Sequence, residues 1–189
     1  MTYETIHPDF DWFFADSTNI LYLIDGQYGK LGPYTKAAAI YKCPSDKSWA
    51  EIGGVRYPRV RSYSLNDYLG DPANLASDSG GSYFRVPEIM EPARIFAFVD
   101  EHEDSIDDGR LTVRLGINST NYWNDVPASL HNRACSLSFV DGHGEIKKWL
   151  DPRTTPAPKR IKFGYFYCPN DPDNLWLQER ATHRVPQVP

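Results

Sequence analysis

LHNRACSLSFVDGHGEIKKW, residues 130–149, is the stretch on which the reading of this chain turns. ACSLSF alternates apolar residues with serine, the period of a strand with one buried face. Asp141-Gly142 follows, a pair suited to a tight hairpin turn, and GEIKKWL then reads as the returning strand. His131 stands ahead of the first strand, and His143 comes directly after the turn. A strand over 134–140 spans about 20–24 Å at about 3.3 Å per residue. His131 and Asp141 therefore fall at opposite ends of it. They share an ion only if the strand bends or the chain before it folds back. The plainer readings make His131 an imidazole bonding a loop carbonyl or carboxylate, and Asp141 a turn residue accepting backbone N–H groups.

Working outward, RIFAFVDE at 94–101 is the strongest further strand, and RVRSYSLNDYLG at 59–70 reads as a strand running into a turn. LTVRLGI is another strand candidate. Residues 10–25 carry Phe10, Phe13, Phe14, Leu21 and Ile24 at near-helical spacing. TKAAAIY, with Thr35 as a cap, and DPDNLWLQERAT are short helix candidates. Residues 71–83 read as a loop, and the tail from 151 is rich in proline and then aromatics.

The 189 residues suffice for one domain with a sizeable core. A net charge of −5 with dispersed basic residues gives no nucleic-acid footprint. No run approaches the roughly 20 apolar residues of a membrane helix, and no signal peptide is visible. The three cysteines form no CxxC pair, so a zinc knuckle is not expected. Cys135 reads as a buried core residue. Cys43 and Cys168 lie in the similar phrases YKCPSD and FYCPND and could pair in an oxidising compartment. Nucleophilic catalysis lacks a GxSxG elbow, and GGSYF lacks the lysine of a phosphate loop.

The order YKCPSD, RSYSLNDYLG, PARIFAFVDE, SLHNRACSLSFVDGHGEIKKW, DPDNLWLQERAT resembles bacterial prepilin-type proteins with a processing-associated His-nine-Asp-Gly domain. The resemblance covers roughly residues 30–180, with His131 and Asp141-Gly142 at the signature spacing. It implies an α+β, pilin-like fold: an N-terminal helical segment packed on an antiparallel β-sheet with many loops, as a single domain over 1–189. It also implies an extracytoplasmic structural or assembly subunit of a type II secretion or type IV pilus-like system, with pilus or secretion subunits as partners. Members usually begin with a basic leader, a processing site and a long apolar helix. No such segment is seen here, so the expectation is a soluble headgroup.

Three constellations carry candidate chemistry. DEHEDSIDD, 100–108, crowds six carboxylates at the end of a strand and suits a hard cation such as calcium, or else a solvated turn. AFVDEH and SFVDGH share one pattern. If their ends lie together, Asp100, His102, Asp141 and His143 offer two carboxylates and two imidazoles to zinc or a related metal. Asp100, Glu101, His102, His131, Asp141 and His143 are thus the candidate ligands or loop braces for a divalent ion, calcium or zinc. A secreted metal-dependent hydrolase of a polysaccharide or ester polymer is the alternative function, with Glu101 or Glu103 as base. A glycan-binding module is the third, drawing on Tyr63, Tyr68, Tyr83, Phe84, Tyr122, Trp123, Tyr165, Phe166, Tyr167 and Trp176.

Overall fold

A computed structural model of the protein describes residues 15–70, 81–115, 121–160 and 166–183. The alternation of ACSLSF forms a strand, β7 (Ala134–Phe139), that separates two environments. Cys135, Leu137 and Phe139 are buried, whereas Ser136 and Ser138 are half-buried on the other face. The hairpin closes as expected: β8 (Gly144–Lys148) pairs antiparallel with β7, Ser138 opposite Gly144 and Ala134 opposite Lys148. Gly142 adopts φ +93°, a region that suits glycine, and its N–H donates to the Phe139 carbonyl.

RIFAFVDE forms β4 (Phe96–Asp100), which runs antiparallel to β7 with Val99 opposite Leu137. Its other neighbour is β3 (Tyr63–Asn66), where Tyr63 lies opposite Asp100. Directly opposed residues share a sheet face, so Tyr63, Asp100 and Ser136 stand together on one face. Leu65, Phe98 and Ser138 continue that row. LTVRLGI yields only a two-residue strand, β5 (Arg110–Leu111), and it pairs parallel with β3. The central sheet, in the order β5-β3-β4-β7-β8, is therefore mixed rather than wholly antiparallel. Two smaller two-stranded sheets are separate from it. One is the hairpin of β1 (Trp49–Ile52) and β2 (Val55–Pro58), the other pairs β6 (Tyr122–Trp123) with β9 (Phe166–Tyr167), far apart in sequence. The fold is α+β with few helices.

Residues 15–25 do not form one continuous helix. Within the described part, Ala15–Thr18 is a 3-10 turn and α1 (Leu21–Ile24) is a single turn; residues 1–14 lie outside the described residues. Asn19 Oδ1 takes the Leu21 N–H, so this polar side chain starts the second turn. α2 (Gly32–Thr35) packs tightly on α1, since a Cβ at Gly32 would fall 2.3 Å from the Ile24 carbonyl oxygen. Thr35 ends that turn instead of capping the next one, and Ala38–Tyr41 forms a 3-10 turn. These short turns lie over the half-buried face of the sheet. Leu31, Thr35, Ile40 and Tyr41 line a cavity of about 410 Å³ against Tyr63, Phe98, Ser136, Leu137 and Ser138.

The opposite face carries the main core. Val99, Leu137, Phe139, Trp149 and Leu177 are among its buried members. α3 (Pro172–Ala181) closes the core, with its C-terminal carbonyl at Ala181 held by Asn66 Nδ2, which also donates to Phe96 O. Asp171 caps α3, taking the N–H groups of Asp173 and Asn174. Its other oxygen accepts from Trp123 Nε1 at 2.8 Å, from Thr154 Oγ1 and from Cys168 Sγ. One carboxylate thus joins four segments. Asp171→Ala loses the cap and strands buried donors on Trp123 and Thr154. We expect a loss of about 2–4 kcal/mol in urea unfolding, with Asp171→Asn retaining part of it.

Candidate metal centre

Asp100 ends the central strand with none of its surface exposed. A carboxylate so placed must be satisfied by protein groups. Ser62 Oγ donates to Oδ1 at 2.8 Å and Ser136 Oγ donates to Oδ2 at 2.7 Å. Ser62 Oγ in turn accepts the Cys43 N–H at 2.8 Å, which seats the YKCPSD loop beside the strand end. The Tyr63 hydroxyl lies 3.4 Å from Ser136 Oγ. Since Ser136 spends its proton on Asp100, Tyr63 is the donor there.

Opposite this strand end, the chain ahead of β7 does fold back. Asn132 and Arg133 both sit in the left-handed region, φ 55° and 62°, and His131 N–H bonds the Ala134 carbonyl. Two successive non-glycine residues there carry a conformational cost of about 1–2 kcal/mol each, a kind of strain that clusters at functional sites. The turn aims His131 at the strand end. His131 Nε2 lies 3.3 Å from Cys43 Sγ and 4.0 Å from Asp100 Oδ2. Ligand atoms of Cys43, Asp100 and His131 all fall within 4.8 Å of one another. Tetrahedral zinc, with bonds of about 2.0–2.3 Å, sets ligand atoms roughly 3.3–3.6 Å apart. Shortening the separations by at most about 1.5 Å would close the cluster on such an ion, so these three residues could hold a metal.

The electrostatics fit that use. Burial pushes both the Asp100 carboxyl and the Cys43 thiol above their ordinary ranges; the Asp100 charge raises the thiol further, while hydrogen bonds from Ser136, Ser62 and Cys43 partly offset the rise at Asp100. A divalent cation reverses the balance by binding carboxylate and thiolate together. His131 Nε2 faces both, so the trio is not a relay in which a carboxylate orients the far side of an imidazole.

The predicted ligands divide sharply. Asp100 and His131 are brought together. Asp141 and His143 are not: because β4 and β7 run antiparallel, the two Phe-Val-Asp ends point in opposite directions. From Ser136, beside Asp100, three strand residues or about 10 Å lead away to Phe139 before the turn begins. There Asp141 Oδ1 accepts the His143 N–H at 3.1 Å and meets His143 Nδ1 at 2.6 Å, while His143 stacks on Phe139. Asp141 is thus the turn residue of the plainer reading.

Glu101 alternates to the other face of β4. Its Oε1 accepts from Ser105 Oγ at 2.7 Å, and burial beside Asp125 holds it well above the usual carboxylate range. His102 offers no lone pair, since Nδ1 accepts the Asp104 N–H and Nε2 therefore donates to Pro156 O. Burial also keeps that ring below its ordinary range. The acidic turn disperses its carboxylates instead of gathering them. Asp104 takes the N–H groups of Lys159 and Arg160, and Asp108 meets Arg110. Among the described residues, Cys43, Asp100 and His131 are the cluster of potential ligands found.

The three cysteines are unpaired, so Cys43 and Cys168 form no disulfide. Sequence reasoning weighed Cys43 only as a disulfide partner. No local signal marks it as a ligand, since its partners lie far away in sequence. The aromatic candidates divide between core and surface, with Phe84, Tyr122 and Tyr167 exposed. Tyr68, Tyr83 and Trp123 are buried, and Tyr122 and Tyr167 meet at a 57° tilt; Tyr165 lies outside the described residues. No protein-family description, curated protein or solved structure matches the chain. No helix among the described residues is long and apolar enough to cross a membrane.

On the other face, next to Glu101, burial lifts Asp125 to about 7. A carboxyl raised in the folded state contributes stability below its unfolded value of 3.8, and loses it as pH climbs through about 7. The protein is therefore expected to melt at lower temperature at pH 8 than at pH 5. Asp125→Asn should remove part of that fall, of order 2 kcal/mol, as measured by paired thermal melts at the two pH values.

Proposed function

We propose that the protein is a pseudopilin-like structural subunit acting outside the cytoplasm, and that one transition-metal ion clamps its sheet. The observation that carries the clamp is the convergence of Cys43, Asp100 and His131 from a loop, a central strand and a hairpin entry far apart in sequence. Joining such segments is what structural metal sites do, because their binding energy becomes folding energy. The thiolate and imidazole favour zinc over calcium, which prefers oxygen ligands only. The pilin-like assignment draws its support from the ordered phrases of the sequence and from the α+β architecture with its hairpin at the signature spacing. Under it, pilus or secretion-system subunits are the partners. The hydrolase alternative loses one of its two candidate bases, because Glu101 faces away from the ligands and binds Ser105.

Untagged protein purified without chelator should carry roughly one zinc per chain by elemental analysis. At a hundredfold excess over its dissociation constant the ion adds about 2.7 kcal/mol, or about 5–10 °C in melting temperature for a chain of this size. Cys43→Ser and His131→Gln should each abolish that increment. An absence of bound metal, together with no stabilisation by added zinc, would refute the clamp. Metal-dependent turnover of an ester or polysaccharide would replace the scaffold role with the hydrolytic one.

A further inference from the structure

Resting on the proposed metal, but going beyond its clamping role, the geometry points to a ligand-binding centre: the ion keeps one open position, which takes an oxygen donor of a small molecule whose apolar body fills the adjacent cavity. Hydroxamates and carboxylates with an aromatic or aliphatic tail are the chemical class.

Four observations converge. Three protein ligands leave a tetrahedral ion one position short, the arrangement of sites that bind exogenous groups. The cavity of about 410 Å³ falls within the size range of small-molecule pockets. Its walls carry no charged side chain: Leu31, Ile40 and Phe98 supply apolar surface, and hydroxyls supply the polar points. Finally, Ser136 belongs to both places, lining the cavity while its Oγ donates to the Asp100 oxygen nearest His131. Ser136 Oγ lies 2.7 Å from the Asp100 oxygen that would ligate the ion. Tyr63 stands at the same wall, with its hydroxyl 3.4 Å from Ser136 Oγ and within reach of the Cys43 thiol. A phenolic O–H there can turn from Ser136 to a metal-bound oxygen. Tyr63 is thus a positioning donor for the ligand, and Ile40, more than half exposed, stands at the cavity mouth.

The test uses the full chain loaded with cobalt(II), whose visible bands and thiolate charge-transfer band report coordination directly. Acetohydroxamate and benzohydroxamate are titrated separately. We expect saturable changes in the visible bands with both, and roughly tenfold tighter binding of the benzo compound because its ring is buried. Tyr63→Phe should retain the charge-transfer band and one cobalt per chain while weakening both ligands about five- to tenfold. Ser138→Phe, which fills the cavity from a half-buried position, should erase the preference for the benzo compound and leave acetohydroxamate binding intact. A charge-transfer band that neither compound perturbs would overturn the open position and leave the clamp standing. Equal affinity for the two compounds would overturn the cavity's role. No cobalt band at all would overturn the metal reading itself, and this inference with it.

Discussion

The Asp100 carboxylate, fully buried at the end of the sheet's central strand, sets the terms for everything around it. Its two oxygens need donors, and the neighbouring strands place Ser62 and Ser136 there at 2.8 and 2.7 Å. Ser62 then fixes the Cys43 loop through a backbone N–H, and Ser136 fixes Tyr63. Neither hydroxyl neutralises the charge. That leaves the anion dependent on what lies beyond it, which is an imidazole and a thiol. Removing the carboxylate would release a loop, two strands and a hairpin entry from a common anchor.

The hairpin and the main strands were legible in the sequence because they obey local rules. ACSLSF alternates with period two, Asp-Gly makes the turn, and FAFVD is an apolar run, all signals contained within a few residues. The helix α3 was legible for the same reason, within DPDNLWLQERAT, although its cap at Asp171 was not. The entry to the sheet was less so. The apolar residues of 15–24 have helical spacing, yet the chain breaks into single turns where Asn19 and the glycines of 26–32 redirect the backbone. LTVRLGI had strand composition, but only Arg110 and Leu111 find a partner strand.

The site was half legible, and the reason is strand direction. Asp100 and His131 stood out as a carboxylate at a strand end and an imidazole ahead of a strand. The likeness of AFVDEH to SFVDGH invited pairing of the two ends, which a parallel arrangement would have satisfied. An antiparallel ladder inverts one of them, so similarity in sequence becomes separation in space. What meets Asp100 is the start of β7, not its finish. Cys43 was invisible as a ligand because nothing local ties residue 43 to residue 131. Only the register of β3 against β4 and the left-handed turn at Asn132 and Arg133 bring them within 3.3 Å.

Adjacent residues of one strand here serve two opposed electrostatic ends. Asp100 faces hydroxyls, sulfur and imidazole, a setting in which a cation converts a costly buried anion into a ligand. Glu101 faces Ser105 and the raised carboxyl of Asp125, with Arg61 alongside, a setting that favours a protonated acid. The pleat alone separates them, since successive side chains leave the sheet on opposite sides. A metal drawn to one face is therefore shielded from competition by the acids of the other. This is why the six carboxylates of 100–108 do not act as a single cation trap: the backbone sorts them before their charges can combine. The acidity of that segment reads as one feature in sequence but works as two in space, and only the carboxylate that shares a face with Ser136 can join Cys43 and His131.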